Sequence, residues 1–330
     1  MSTPPDSELA RAVDALVSGH VIGLPTETVY GLAADATNAA AVRQIFALKG
    51  RPAEHPVIVH VADASDLERF ANRPSAVARQ LARRFWPGPL TLIVKRTAIV
   101  PGVVTGGRET VGIRAPSHPC AQALLRRFAR GQSGAVAAPS ANRFGGVSPT
   151  TAAHVREEFG DQLGVVLDGG ACEVGIESTI VDVSTNRVRV LRPGHIGLAQ
   201  LQDCLGVPVE FLEQPTIAAP GTLASHYAPN TPVTLGDRTA LSVLLSSSPA
   251  RLAVVTHDRS VTRLDAPERT GWFHMSADPS SYARELYDTL RRADRGGYQR
   301  IFVLAPPKDP RWLAVNDRLQ RAAHPRDPGE

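Results

Sequence analysis

Residues 24–32 read Leu24-Pro25-Thr26-Glu27-Thr28-Val29-Tyr30-Gly31-Leu32; a helical pattern follows and ends at Lys49-Gly50-Arg51-Pro52. An apolar run, Val21-Ile22-Gly23-Leu24, leads into the hydroxyl-rich turn. Pro52 marks the end of the helical pattern, because the residue before a proline is pushed out of the helical region. Hydroxyl donors beside two cations suit a bound carboxylate or phosphate. A surface turn followed by a basic helix C-terminus, favoured by the helix dipole, would produce the same spacing.

On the N-terminal side, Ser7 is placed to cap a helix with Leu9, Val13, Leu16 and Val17 on one face, stopped by Gly19. A strand is expected over 20–24. Asn38 can cap the next helix, whose apolar side is Val42, Ile45, Phe46 and Leu48. Further strands are expected over 56–61, 90–95, 110–115, 135–138, 165–167, 178–183 and 187–191. Helices are expected over 63–70, 75–85 and 119–130, with another opened by Ser148-Pro149-Thr150 and running to Phe159. Strands and helices mix without strict alternation, which predicts a mixed twisted α/β sheet rather than a doubly wound one.

From residue 213 the periodicity is lost, and Pro215, Pro220, Pro229 and Pro232 punctuate a semi-rigid linker that carries Ser225-His226-Tyr227. Beyond it, helical patterns over 239–245, 280–293 and 311–322 alternate with strand patterns over 251–255 and 300–304. That is the pattern of a small parallel, Rossmann-like α/β domain. The expected division is 1–208, a linker over 209–232, and 233–330, with a disordered tail after Pro325.

At 330 residues, 43% hydrophobic and 21% charged, the chain suits a soluble globular protein of one large or two ordinary domains. A formal charge of +4 permits anionic ligands without marking a nucleic-acid binder. Lys49, Lys95 and Lys308 are its lysines. Codon bias explains the arginine excess, yet a lysine kept at position 49 also fits a need for a compact point charge. Cys120, Cys172 and Cys204 form no CxxC pair, so neither a disulfide framework nor a zinc site is expected, and no metal ligands are assigned. The first nine residues are polar, without a signal-peptide core, and no apolar run approaches a membrane span. The expected compartment is the cytoplasm.

No GxGxxG follows a strand, and GxxxxGK[ST], HExxH and GxSxG are missing. What remains is a set of polar turns at the ends of apolar strands: Thr26 and Thr28, Lys49 and Arg51, His60, Thr110 and Arg114, Ser140 and Asn142, Ser148, Ser178 and Thr179, and Arg192. If these turns share one side, four cations converge, as a polyphosphate requires. Each residue alone also has a plain structural reading. Arg114 and Arg192 can be rim salt bridges, Ser140 and Asn142 can satisfy turn backbone, and His60 can be a core histidine. Glu177 can be a general base or a turn carboxylate.

Taken together, Pro25–Leu32, Lys49–Pro52, Trp86-Pro87-Gly88-Pro89-Leu90-Thr91, Ala138-Pro139-Ser140-Ala141-Asn142, Glu177-Ser178-Thr179-Ile180-Val181-Asp182 and Leu191-Arg192-Pro193-Gly194 resemble the YrdC-like family. Ser225-His226-Tyr227-Ala228-Pro229 and the second domain resemble that family's two-domain, threonylcarbamoyl-adenylate-forming members. The resemblance implies a YrdC-like N-terminal sheet domain joined to the small α/β domain. It also implies a reaction in which L-threonine, bicarbonate as co-substrate and ATP, with Mg²⁺, give threonylcarbamoyl-AMP and pyrophosphate. The product would reach tRNA indirectly, through a downstream transferase complex, with no membrane partner.

Carried over by position, the resemblance puts catalysis at the KxR and SxN pairs, Lys49 with Arg51 and Ser140 with Asn142. It puts L-threonine against Thr28, His60, Arg114, Ala138 and Ser178, with Arg114 clamping the carboxylate. It puts the nucleotide against Arg51, His55, Thr110, Ser140, Ser148, Arg192 and Tyr227. His55 stands where the family often has Asn, so an imidazole would replace one amide hydrogen bond. The linker is expected to act as a lid that keeps water from the labile intermediates. Two rival readings share the resemblance: a related enzyme that forms carbamoyl-adenylate from carbamoyl phosphate, and a non-catalytic module binding double-stranded RNA.

Overall fold

A computed structural model describes residues 4–212, 221, 225–247, 251–263, 266 and 269–325. They fall into two compact units: Met1–Phe144 with Pro149–Thr222, and Gly145–Ser148 with Leu223–Glu330.

In the first unit the described residues form a nine-stranded sheet. Its strands are β1 (Ile22–Leu24), β2 (Gly31–Asp35), β3 (Ile58–His60), β4 (Leu90–Lys95), β5 (Thr110–Arg114), β6 (Val136–Ala137), β7 (Thr179–Asp182), β8 (Arg189–Arg192) and β9 (Glu210–Phe211). Their order is β1-β2-β6-β3-β5-β4-β7-β8-β9. The β3/β5, β4/β7 and β8/β9 pairs are parallel and the other five antiparallel. The expected mixed sheet is therefore present.

The two faces of this sheet are covered differently. On one face Val59, Leu92, Val94, Val111, Ile113 and Val181 join a large core with Val42, Ile45 and Phe46 of the helix Ala39–Lys49, Leu81 and Phe85 of the helix Ala76–Phe85, and Leu201 of the helix Leu198–Leu205. On the other face the helices Asp6–Val17 and Pro119–Phe128 pack Leu9, Leu16, Leu124 and Phe128 against Ile22, Leu24 and Val136, toward the β1 edge. The rest of that face holds a small cluster, Ile58, Ile93, Ile180 and Leu191. Polar side chains can therefore stand on this part of the sheet without breaking a core.

The helix Ala39–Lys49 begins where expected, with the Asn38 side chain accepting from Ala40 N at 3.0 Å and Ala41 N at 3.2 Å. Gly50, at φ +62°, closes it in the left-handed conformation. Other local expectations shift. The first helix starts at Asp6 behind Pro5, not at a Ser7 cap, and Val17 is exposed. Thr151, not Ser148, caps the helix Ala152–Phe159. Residues 165–167 make an isolated bridge from Val166 to Gly23 rather than a strand. Glu210 and Phe211, inside the expected linker range, pair with β8 as an edge strand. The rest of that range includes 213–220 and 222–224, which lie outside the described residues, as does the tail from 326.

In the second unit the strands β10 (Val233–Gly236), β11 (Leu252–Thr256), β12 (Gly271–His274) and β13 (Arg300–Leu304) form an all-parallel sheet in the order β10-β13-β11-β12. Helix Arg238–Ser247 lies in the crossover from β10 to β11 and helix Pro279–Arg295 in that from β12 to β13, while helix Leu313–Ala323 follows the last strand, in keeping with the Rossmann-like reading. No helix among the described residues is long and apolar enough to cross a membrane.

Gly194 sits where β8 hands over to the next segment, and a Cβ there would lie 2.4 Å from Thr179 N and 2.8 Å from Glu177 O. Backbone on that side cannot yield without opening the β7/β8 pair. Gly194→Ala is expected to destabilise the first unit by about 1–3 kcal/mol, lowering its calorimetric midpoint by roughly 3–10 °C. A midpoint unchanged within about 1 °C would show that this approach is not tight.

Candidate functional site

Register places three of the candidate side chains, His60, Thr110 and Arg114, on one face. In the parallel β3/β5 pair, Ile58 lies opposite Gly112 and His60 opposite Arg114. In the antiparallel β4/β5 pair, Ile93 lies opposite Gly112 and Lys95 opposite Thr110. Side chains alternate along a strand, so Thr110, Gly112 and Arg114 share the face that carries His60, Thr91 and Ile93. This is the lightly packed face. Thr110 and Arg114 stand at opposite ends of β5, about 13 Å apart along the strand.

At the Arg114 end the guanidinium is held from several sides. Its Nη1 donates to Thr28 Oγ1 at 2.8 Å and its Nε to Gly88 O at 3.3 Å. Its Nη2 stands 2.6 Å from Glu27 Oε1, an ion pair with side chains 4% and 3% exposed. Thr26 supports the turn, since its hydroxyl lies 2.9 Å from Thr28 Oγ1 and donates to Val29 O at 2.6 Å. His60 is buried beside this charge. Burial, and then the Arg114 guanidinium, push its pKa down to about 3, so the imidazole is neutral. Ala138 joins the group through its N–H to Ile58 O at 3.0 Å. Ser178 Oγ lies 2.8 Å from Thr91 Oγ1 and accepts from Arg192 Nη2 at 3.2 Å. Arg192 also donates to Ser178 O through Nε at 3.1 Å and Nη2 at 3.0 Å.

The KxR and SxN pairs meet through the helix Ala39–Lys49. Val42, Ile45 and Phe46 form its buried stripe, and Lys49 continues that stripe by one turn, so its ammonium is delivered inward. There it donates to Ser140 O at 2.6 Å and Asn142 O at 2.5 Å. Burial, and then Arg51, lower its pKa well below the ordinary lysine value. Lys49 thus grips the Ser140–Asn142 turn by its backbone. The same turn is tied to the Thr26–Gly31 segment by Ala141 N to Tyr30 O at 2.8 Å and by a Gly31/Ser140 bridge. Arg51 donates Nη2 to Pro56 O at 2.9 Å and lies 5.8 Å from the centre of the Phe144 ring, against which His55 also packs at 5.4 Å.

Two expected nucleotide contacts belong to the second unit. Ser148 lies in the segment Gly145–Ser148, where Ala228 N donates to Gly145 O at 3.0 Å and Arg291 Nη2 to Val147 O at 2.5 Å. Tyr227, at φ +60°, stacks on Tyr287 at 5.6 Å with the Arg318 guanidinium 5.3 Å from its ring. Glu27 and Thr91 were absent from the residues picked out by sequence. Both stand inside quoted motifs, and a carboxylate within an apolar, hydroxyl-bearing turn was a signal available for Glu27.

Basic and hydroxyl side chains on the open face of a mixed sheet define an α/β protein able to hold an extended anion. The chain matches the family described as "Telomere recombination" over residues 14–194 and the threonylcarbamoyl-AMP synthase C-terminal domain over 196–324. It is 36% identical to the threonylcarbamoyl-AMP synthase of Pyrococcus abyssi over 92% of this chain and 91% of that protein. It is likewise 36% identical to the Bacillus subtilis threonylcarbamoyl-AMP synthase, over 96% of this chain and 93% of the relative. The crystal structure of P. abyssi Sua5 complexed with L-threonine superposes with a TM-score of 0.88 at 33% identity, covering 98% of this chain and 96% of that one. The chain belongs to the two-domain threonylcarbamoyl-AMP synthase family.

His60 generates a stability prediction. Its folded pKa of about 3 lies below the unfolded value of 6.5, so between those values the unfolded chain binds the extra proton. This contribution to stability is present above pH 6.5 and is lost as pH falls toward 3, by about 1.4 kcal/mol per pH unit. Urea unfolding at pH 6.5, 5.5 and 4.5 should show a steeper decline for the wild type than for His60→Gln. Parallel declines would mean that His60 takes up a proton in the folded state.

Proposed function

We propose that this chain converts L-threonine, bicarbonate and ATP into threonylcarbamoyl-AMP and pyrophosphate, the first step in forming threonylcarbamoyladenosine on ANN-decoding tRNAs. The observation that carries this reading is the shared face of β5, with Arg114 at one end and Thr110 at the other. An amino acid joined through a carbamate to a nucleotide is an extended molecule with negative charge along its length. The span of about 13 Å suits it, with the amino acid at the Arg114 end and the nucleotide toward Thr110.

The chemistry needs two bond-forming steps. The threonine amine, in its neutral form, attacks the carbon of bicarbonate and gives a carbamate with loss of water. A carbamate oxygen then attacks the α-phosphorus of ATP, and pyrophosphate leaves in line. Both reactants of the second step are anions, so the main task of the protein is to hold like charges in contact. Arg114 supplies a planar fork for the threonine carboxylate. Thr28, His60, Ala138 and Ser178 surround it. Arg51, His55, Thr110, Ser140 and Arg192 serve the nucleotide. Lys49 acts as a positioning residue that fixes the Ser140–Asn142 turn. No side chain needs to form a covalent intermediate.

The donor set does not fit a protein-held divalent ion. Among the described residues no group of three or more His, Cys, Asp or Glu side chains could hold one. Mg²⁺ is proposed only as the counter-ion that ATP carries on its own phosphate oxygens, and no step above runs through it. We place the reaction in the cytoplasm.

The test is pyrophosphate release from ATP. It should require both L-threonine and bicarbonate, and carbamoyl phosphate should not replace them; release driven by carbamoyl phosphate without threonine would overturn the reading. For the clamp, Arg114→Lys keeps the charge but loses the fork. Its KM for L-threonine should rise at least tenfold, or about 1.4 kcal/mol, with a smaller change in KM for ATP. An unchanged threonine KM would remove Arg114 from that role.

A further inference from the structure

We propose that Glu27 receives the α-ammonium of the amino-acid substrate and is the base that takes its proton. This deepens the reading given above and rests on Arg114 as the carboxylate clamp.

Glu27 is 2% exposed, and its Oε1 stands 2.6 Å from Arg114 Nη2. The approach is close but bent out of hydrogen-bond alignment. Among the described residues neither Glu27 oxygen accepts a hydrogen bond, and Arg114 Nη2 donates none. The other edges of the guanidinium are occupied by Thr28 and Gly88. A buried carboxylate and a buried guanidinium edge therefore stand side by side as an ion pair, and among the described residues the Glu27 oxygens accept no hydrogen bond from a third group. Buried polar groups are rarely left so, because an unmade hydrogen bond to a charge is costly.

Side by side, these two charges are the electrostatic complement of an amino-acid zwitterion. Its carboxylate and ammonium are separated by a single carbon. A carboxylate laid on the Arg114 fork brings the attached ammonium beside Glu27, whose empty acceptors match its three donors. The other candidates for a base are poorer. His60 is neutral, lies beside the Arg114 cation and has Nδ1 3.2 Å from Ile58 O, so it offers no negative charge to an ammonium. Lys49 is committed to two carbonyls. The Glu177 charge is felt at Lys49, whereas that of Glu27 is felt at His118 and Cys172 beside the Arg114 pair.

The step balances as follows. An N–H bond of the ammonium breaks and an O–H bond forms on Glu27, leaving a neutral amine and a carboxylic acid. The amine lone pair attacks the bicarbonate carbon; an N–C bond forms, a C–O bond breaks, and the departing hydroxide takes the second amine proton and leaves as water. Glu27 returns its proton to solvent after product release. Among the described residues, the charged or titratable groups around Glu27 include Arg114 on β5, His60 on β3 beside that guanidinium, His118 at the start of the helix Pro119–Phe128, and Cys172. Burial lowers the His118 pKa and raises that of the Cys172 thiol, so both are neutral at and above pH 7.

Binding calorimetry with L-threonine and with 2,3-dihydroxybutanoate of matching stereochemistry, in which a hydroxyl replaces the amine, tests the contact. Wild-type protein should prefer L-threonine at least tenfold, and Glu27→Gln should bind the two nearly equally. A wild-type protein without that preference would overturn the proposal, and this arm needs no variant to fold. A Glu27→Gln protein that keeps the preference would do the same. Should Glu27→Gln not fold, Glu27→Asp retains the carboxylate and should keep the preference with weaker binding; loss of preference there would count against it. At pH 7, kcat/KM for threonine should fall about 100-fold or more in Glu27→Gln, and the deficit should shrink as rising pH supplies neutral amine. A deficit independent of pH would mark Glu27 as structural only. If wild-type protein prefers L-threonine yet releases no threonine-dependent pyrophosphate, the reaction assignment fails and the zwitterion site stands.

Discussion

The ion pair between Arg114 and Glu27 is the interaction on which the site depends. A guanidinium buried at the end of a β-sheet is tolerable only beside an opposite charge, and removing one member of such a pair typically costs about 3–5 kcal/mol. The pair also sets its neighbourhood. Thr28 accepts a hydrogen bond from Nη1 of the same guanidinium, and His60 is kept neutral by burial with that cation close by. Segments 86 residues apart in sequence are thereby locked into one geometry.

The sheet makes this affordable through unequal covering of its faces. One face is sealed by helices across most of its strands, and the other by two helices toward the β1 edge. The stability of the first unit comes chiefly from those two cores, which leaves the β3-β5-β4-β7 surface free to carry charge. Function is placed on strand ends and turns, where a change of side chain disturbs no core layer.

How much of this was legible in the sequence depended on where the signal resided. The Asn38 cap, the Ala39–Lys49 stripe and strands β4 and β5 were readable, because capping chemistry and apolar runs are local. Strand β2 was missed: Gly31-Leu32-Ala33-Ala34-Asp35 has no β-branched residue, and with both faces buried it shows no alternation. In the second unit, β10 and β12 are only half-buried and short, so neither produced a clear pattern. Ser148-Pro149 had the form of a helix start, but Thr151 holds the cap. The polar turns of the first unit were recognisable as a set. That Lys49 grips backbone and that Glu27 meets Arg114 were not, because each is a contact across about 90 residues that no spacing encodes.

Lys49 and Arg51 show the same economy in another form. Two cations two residues apart repel, and burial penalises each; the lowered pKa of Lys49 records both effects. The carbonyls of Ser140 and Asn142 offset the cost for Lys49, and that of Pro56 does so for Arg51. The Glu158 and Glu177 carboxylates also act on Lys49, so the two cations are fixed in place before any ligand arrives. Under the proposed function, an arriving phosphate would meet donors already fixed in place, with little reorganisation left to oppose its binding.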